Sequence, residues 1–333
     1  MNSQGYGKNS WFPPDQAAAD EFDQFSIDVP LPYYNGLFYA LTTRSQRNLW
    51  DDSGGDLNRF LVARIQSMTP TSLIRVSDGE GNVLFGAAQR YENLKRHVLQ
   101  KISLMHFGSK DVISDNYDQF AIALAASIDS ADVVGTPGLN TVIGGFSTVA
   151  ERVDVRALVG NRYSLYMLGR KAHDRGTSEK IVGNVWFNRN LLPYYSQLLA
   201  AASRICIVAC YPELVELFRA KIGDREFSFV EVPLQASQSQ NKGNDSRHYP
   251  GHFVRICERI MEQSSGTVYV VAAGLLGKYY CHLAKKNGGI AIDVGSIADV
   301  WMGKRSRPGI TDAFVDRWAL TNVATTPGVP TST

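Results

Sequence analysis

The stretch TVYVVAAGLLGKYYCHLAKKNGGIAIDVG, residues 267–295, decides the fold. Its ends, TVYVVAA and IAIDVG, are short apolar runs rich in β-branched residues, and the segment between them has the length and composition of a helix. Strand, helix and strand in that order make a βαβ unit with two parallel strands. The same alternation recurs upstream. RICIVA (204–209) reads as a strand, PELVELFRAKIG (212–223) as a helix with Pro212 near its first turn, FSFVEV (227–232) as a strand and HFVRICERIMEQ (252–263) as a helix. Strands joined by helical crossovers predict an α/β fold: a Rossmann-like, mostly parallel sheet with helices on both faces. Continuous apolar runs such as TVYVVAA fit strands buried on both sides.

Nearer the N-terminus, Leu57, Phe60, Leu61 and Ile65 recur at helical spacing and predict a helix over 56–68, followed by a strand at 72–77. Tyr91, Leu94, Val98, Ile102 and Met105 mark a second helix, a third covers about 115–128, and ADVVGTPG (131–138) holds a short buried strand. SLYMLG (164–169) reads as a strand, and GNVWFNRNLLPYYSQLLAAA (183–202) as a strand or loop running into a helix. Residues 1–35 carry Pro, Gly, Ser and Gln without periodicity and are expected to form an extended arm. Residues 36–320 are expected to form a single α/β domain, and 321–333 a loose tail. No internal repeat is visible.

The bulk properties exclude several classes. The chain has 333 residues, is 44% hydrophobic and carries a formal net charge of +2, which argues against a general electrostatic grip on nucleic acid. One local basic cluster, GKRSRPG (303–309), reads either as a solvated loop or as a phosphate site. The cysteines, Cys206, Cys210, Cys257 and Cys281, form no CxxC pair and read as small buried thiols. No apolar run approaches a membrane span and no apolar signal core opens the chain, so a cytoplasmic protein is expected, with peripheral membrane contact left open.

In open sheets of this kind ligands bind outside the carboxyl ends of the strands. Three such ends carry polar or glycine residues: SLIRVSDGE (72–80), the turn after Ala273 and Gly274, and Asp293 to Ser296. Asp78 and Glu80 form a D-x-E pair; on an extended segment residues two apart share a face, and Gly79 lets a ligand approach. Two carboxylates so placed suit Mn²⁺ or Mg²⁺ bridged to a diphosphate, with Arg75 as a bidentate phosphate contact. DGEGN is equally a good turn sequence. The strand–glycine–helix junction at Gly274 aims free N–H groups at an anion, or else Gly274 and Gly277 serve close packing. Lys278 reads as a helix-surface residue or a phosphate ligand. Asp293 is a candidate for binding a sugar hydroxyl or acting as a base, or a cap of the following segment. The loop QASQSQNKGNDSRHYPGH (235–252) is either a surface loop or a lid that brings Arg247 or His248 over a ligand. No P-loop, dinucleotide fingerprint, G-x-S-x-G elbow or zinc-spaced histidine pair is present.

Together, SLIRVSDGE and GLLGKYYCHLAKKNGGIAIDVGSIADVW (274–301) resemble the two ends of the GT-D-type glycosyltransferases, over roughly residues 56–302. In that family an early strand ends in an R-x-G-D-G-E-like segment, and an aliphatic-Asp-aliphatic-Gly segment closes the domain. The resemblance implies a divergent GT-D-like member with a nucleotide-sugar donor and a divalent metal at the D-x-E pair. Asp78 and Glu80 carry over as metal and diphosphate residues, Arg75 supports them, and Asp293 and Gly295 belong to the closing motif. Two departures stand out: Ser77 where glycine is common, and Ser296 where the better-known branch has histidine.

The expectation is therefore a metal-assisted glycosyltransferase that moves a sugar from a nucleoside-diphosphate donor, a UDP-sugar first among them, to a glycan, lipid-linked glycan or glycoprotein. Asp78, Glu80 and Asp293 are the candidate catalytic residues. Arg75, Ser77, Gly79 and Gly274 are candidate donor contacts, as are Lys278, Gly295, Ser296 and His248. The alternative is a catalytically inactive nucleotide- or glycan-binding module of a polysaccharide assembly complex, to which the altered Ser77 and Ser296 point. A metal-dependent phosphohydrolase would use the same carboxylates, but more clustered Asp and His would be expected for it.

Overall fold

The strands of the described residues all pair in one sheet. The computed structural model describes residues 12–50, 52–147, 155–175, 178–238, 248–307 and 309–322. The strands are β1 Ser45–Leu49, β2 Thr71–Arg75, β3 Val133–Thr136, β4 Ser178–Asn184, β5 Arg204–Ala209, β6 Glu226–Glu231, β7 Val268–Val271 and β8 Ile290–Asp293. They lie parallel in the order β1-β4-β3-β2-β8-β7-β5-β6.

Helices α1 Gln16–Asp28 and α2 Leu31–Arg44 precede the sheet, and α3 Gly55–Gln66 joins β1 to β2. Between β2 and β3 come α4 Asp78–Phe85, α5 Glu92–Phe107, α6 Val112–Asp115 and α7 Tyr117–Ser130. Helices α8 Leu139–Ser147 and α9 Val155–Arg175 separate β3 from β4, while α10 Phe187–Asn190 and α11 Tyr195–Ala200 separate β4 from β5. Single helices α12 Leu214–Ile222, α13 Phe253–Met261 and α14 Gly277–Lys286 make the next three crossovers, and α15 Ile297–Trp301 and α16 Asp312–Trp318 follow β8.

Handedness sorts these helices onto two faces. The steps β2→β3→β4 and β6→β7→β8 run one way across the sheet, and β1→β2 and β4→β5→β6 run the other. Right-handed crossovers then place the two sets on opposite faces. The packing agrees. Ile74, Val134, Cys206, Val208, Tyr269, Val271 and Ala291 pack in one core with α5, α7, α9, α13 and α14, whereas Leu73, Val133, Ile205, Ile207, Val268, Val270, Ile290 and Ile292 pack in another with α3, α11, α12 and α15. Alternate residues of each strand enter alternate cores, as the pleat requires. The sheet is buried on both faces, and the fold is the α/β, Rossmann-like class expected.

Three segments depart from the sequence reading. Residues 16–28 are helical, not extended: Ala18, Phe22 and Phe25 are buried at helical spacing, and the Asp15 side chain caps the helix by accepting from the Ala18 N–H at 2.8 Å. Phe22 and Phe25 pack on Phe85, Leu94, Val98, Val155 and Val159, and the fully buried Arg162 lies 4.4 Å from the Phe25 ring centroid. SLYMLG lies inside α9, with Leu165, Leu168 and Ala172 on its buried side. A short apolar run does not by itself distinguish a buried helix turn from a strand. SQRNL forms β1, a polar edge strand with three exposed residues that periodicity does not reveal. Residues 1–11 and 323–333 of the expected arm and tail lie outside the described residues.

Helices α4 and α9 touch backbone to backbone. A Cβ on Gly81 would stand 1.8 Å from the Gly160 carbonyl oxygen, and one on Gly160 would stand 2.0 Å from that of Asp78. Gly160→Ala is expected to push the helices apart and lower stability by about 1–3 kcal/mol in denaturant titration. Gly36→Ala in α2, where a Cβ meets nothing within 4 Å, should leave stability unchanged or raise it by up to about 1 kcal/mol.

Candidate functional site

The strand order reverses at β2 and β8. From β2 the chain leaves toward one core and from β8 toward the other, so a crevice opens between their carboxyl ends. A cleft of about 420 Å³ fills it. Arg75, Ser77, Asp78, Gly79 and Glu80 line it beside Gly274, Lys278, Gly295, Ser296 and His248. Of the predicted site residues only Asp293 is absent from the wall. It lies beneath it, 2% exposed, and holds two of the others in place.

A buried quartet forms the floor. Asp293 accepts from the Arg75 backbone N–H and from Nη2, both at 3.2 Å, and from Lys278 Nζ at 3.1 Å. Lys278 Nζ also reaches Glu80 Oε1 at 2.8 Å and the Gly274 carbonyl at 3.2 Å, so three acceptors surround its three N–H bonds. Two cations and two carboxylates sum to zero charge. Burial works to raise the Asp293 carboxyl, but Arg75 and Lys278 outweigh it and hold it below the usual carboxylate range. Burial likewise works to lower Lys278, and Asp293 and Glu80 reverse the direction and raise it. Lys278 is therefore neither the helix-surface residue nor the free phosphate ligand of the sequence reading; it is 4% exposed and fully engaged.

Gly295 makes room for this arrangement. Its φ is +52°, and a Cβ there would stand 1.8 Å from Arg75 Nη2. The closing DVG segment thus supplies both the carboxylate that binds Arg75 and the space its guanidinium occupies.

The D-x-E pair differs from its expected form. The strand stops at Arg75, Ser77 is the N-cap of α4, and Asp78 and Glu80 sit in the first helical turn. Residues two apart on a helix do not face the same way. Glu80 Oε2 accepts the Ser77 N–H at 2.9 Å, the reach-back half of a capping box, while Oε1 holds Lys278. The Asp78 side chain is 33% exposed and opens on the cleft, where it pairs with Arg156 of α9. Burial tends to raise Asp78, and the charge and hydrogen bond of Arg156 more than offset this and lower it.

These placements do not fit the two-carboxylate metal site implied by the resemblance. Both Glu80 oxygens are taken and its side chain is 6% exposed, so only Asp78 presents an oxygen to the cleft. Among the described residues no group of three or more His, Cys, Asp or Glu is placed to hold a metal. The four cysteines are free, and burial pushes the thiol of Cys210, at the cleft wall, up to about 11.

Several cleft residues carry no local signal in the sequence: His106, Arg156, Asn161, Trp186, Tyr211, Gln235 and Asp299. Arg307 does lie in the basic stretch GKRSRPG. It reaches the cleft and donates to Gln235 Oε1 at 3.0 Å, whereas Lys304 sits over the Tyr211 ring and Arg305 faces Asp312 at 3.6 Å. Asp299 accepts from Tyr211 Oη at 2.8 Å and from Ser306 Oγ. A hydrogen bond of 2.8 Å joins His248 Nε2 to Tyr280 Oη, and Arg247 lies outside the described residues.

Lys278→Met leaves the buried Glu80 without its cation and Asp293 with Arg75 alone, and is expected to cost about 3–5 kcal/mol in denaturant titration. Adding Glu80→Gln should restore part of the loss, since Asp293 retains Arg75. The histidines set the pH response. Burial first, and then Arg307 and Arg156, push His106 down to about 3; burial and His252 do the same to His248. Unfolded histidines protonate near pH 6.5, so between that value and about 3 the unfolded chain binds more protons and stability falls as pH is lowered. Asp78 and Asp293, whose folded values are depressed, add a further loss once the pH falls below about 4. Thermal melting from pH 7 to 4 should show the decline, and His106→Gln should flatten it. Compared with protein-family models, with curated proteins and with solved structures, the chain matches none.

Proposed function

We propose that this chain is a glycosyltransferase whose cleft binds a nucleoside-diphosphate sugar, with a UDP-sugar as first candidate, and transfers the sugar to a glycan or glycoconjugate. One observation carries the proposal. SDGE and IAIDVG, the segments that resemble the two ends of GT-D-type enzymes, meet at the switch point of the sheet through Arg75 and Asp293, 218 residues apart in the chain.

The chemistry follows from the side chains at that point. As the bond to the anomeric carbon breaks, negative charge grows on the leaving diphosphate, and cations fixed beforehand stabilise it best. Arg156 and Arg307 stand at the wall beside Asp78, and both act electrostatically on His106. His106 stays neutral at pH 7, so it offers a donor or an acceptor to the ligand without adding charge. Asp78, held ionised by Arg156, is suited to accept a hydrogen bond from a sugar hydroxyl. Trp186 is 42% exposed at the cleft, with Arg189 4.1 Å from its ring centroid, and its ring is a flat surface for a sugar or base.

A second reading, a nucleotide- or glycan-binding module without turnover, is favoured by the engagement of Glu80 and Asp293 in the quartet, which leaves Asp78 as the one candidate catalytic carboxylate outside it. Calorimetric titration with UDP and GDP, paired with a donor-consumption assay, separates the readings. Wild type is expected to bind one nucleotide, and Ser296→Trp, which fills the cleft, to lose at least tenfold in affinity. Binding with no donor consumed in the presence of glycan acceptors points to the module. If neither nucleotide binds, the donor proposal is wrong.

A further inference from the structure

Building on the donor proposal, we infer that protein cations bind the diphosphate, with Arg307 as its clamp, in place of a metal held by Asp78 and Glu80. The first ground is the fate of the acids. Moving Glu80 toward a metal would break its bonds to Lys278 Nζ and to the Ser77 N–H, uncovering a buried ammonium and an N-cap together. Asp78 is already paired with Arg156.

The second ground is charge. Around the mouth of β2 and β8, Arg75, Arg156, Lys278 and Arg307 balance Asp78, Glu80, Asp293 and Asp299. With the carboxylates matched in number, no excess of negative charge draws a divalent cation to the site. Asp78, Glu80 and Asp293 pair with Arg156, Lys278 and Arg75, and Asp299 accepts from Tyr211 and Ser306, which leaves Arg307 as the cation outside the ion pairs of the described residues.

The third ground is the supply of donors. Arg307 forms no ion pair among the described residues, and its hydrogen bond goes to the neutral Gln235. Gln235 Nε2 and Arg75 Nε are buried atoms with no hydrogen-bond partner, and both residues line the cleft. A planar guanidinium without a carboxylate, next to an amide with a spare N–H, suits two oxygens of a phosphate, which only accept. Arg307 and Asp78 line the same cleft, and the Arg307 charge helps to lower the Asp78 carboxyl.

The test is calorimetric titration of the full chain with UDP, GDP and inorganic pyrophosphate, each in EDTA and in excess Mn²⁺. The wild type and the variants Arg307→Ala and Arg307→Lys are compared, with melting curves to confirm that all three are folded. The inference expects affinities in EDTA and Mn²⁺ that agree within about twofold, a loss of tenfold or more in Arg307→Ala, and partial recovery in Arg307→Lys. Binding that requires Mn²⁺ and survives Arg307→Ala overturns the inference and leaves the donor proposal standing. Pyrophosphate bound without metal and through Arg307, with neither nucleotide bound, keeps the clamp and removes the nucleotide donor. If none of the three probes binds under either condition, both fall.

Discussion

A buried ammonium group organises this molecule. Lys278, near the start of α14, lies between Glu80 of α4 and Asp293 of β8, with the Gly274 carbonyl as third acceptor. Removing three charges from water is costly, and their attraction offsets the cost only if every polar atom finds its partner. The carboxyl end of β8, the first turn of α14 and the first turn of α4 therefore have to hold one arrangement. Arg75 extends it to β2, so the two strands at the switch point are tied by charge as well as by the ladder.

Such an arrangement needs backbone positions without side chains. Gly295 leaves the volume that the Arg75 guanidinium fills, and its positive φ turns the chain away from β8. Gly81 and Gly160 let α4 and α9 approach closely, and that approach delivers Arg156 to Asp78. Gly81 of SDGEG and Gly295 of IAIDVG serve contacts with other elements, whereas at Gly79 a Cβ would meet nothing closer than 3.9 Å.

The quartet changes what each acid can do. Glu80 and Asp293 are spent on Lys278 and Arg75, so they position the floor of the cleft. Asp78 looks outward, and Arg307 arrives from the loop after α15 without a carboxylate of its own among the described residues. The cation left without an ion pair among the described residues, Arg307, suits an anion, although a D-x-E pair read along the chain suggests a metal. The difference is geometric: on a strand the two acids share a face, and on the first turn of a helix they do not.

Much of this was legible in the chain itself. Strands buried on both faces are continuous apolar runs, and crossover helices separate them, so the last third declared a parallel sheet. Because such a sheet gathers its carboxyl ends along one edge, SDGE, the Gly274 turn and DVGS could be placed at a common cleft. Ser77 and Glu80 also form an S-x-x-E capping signature, a local signal for the helix that starts at Asp78. The N-terminal helix was obscured because Ala18, Phe22 and Phe25 stand among acids and glutamines, and β1 because an edge strand needs no apolar alternation. Which charges pair could not be read from the chain. Arg156 and Arg307 come from a long helix and a surface loop, and Lys278 looks like any lysine on an amphipathic helix. The sequence by itself determined the layered α/β sheet and the edge where its cleft lies, since both follow from local apolar pattern and chain direction. Only the tertiary structure decided which carboxylates are neutralised and which cation is left over, because ion pairing depends on distances between residues as far as 218 positions apart.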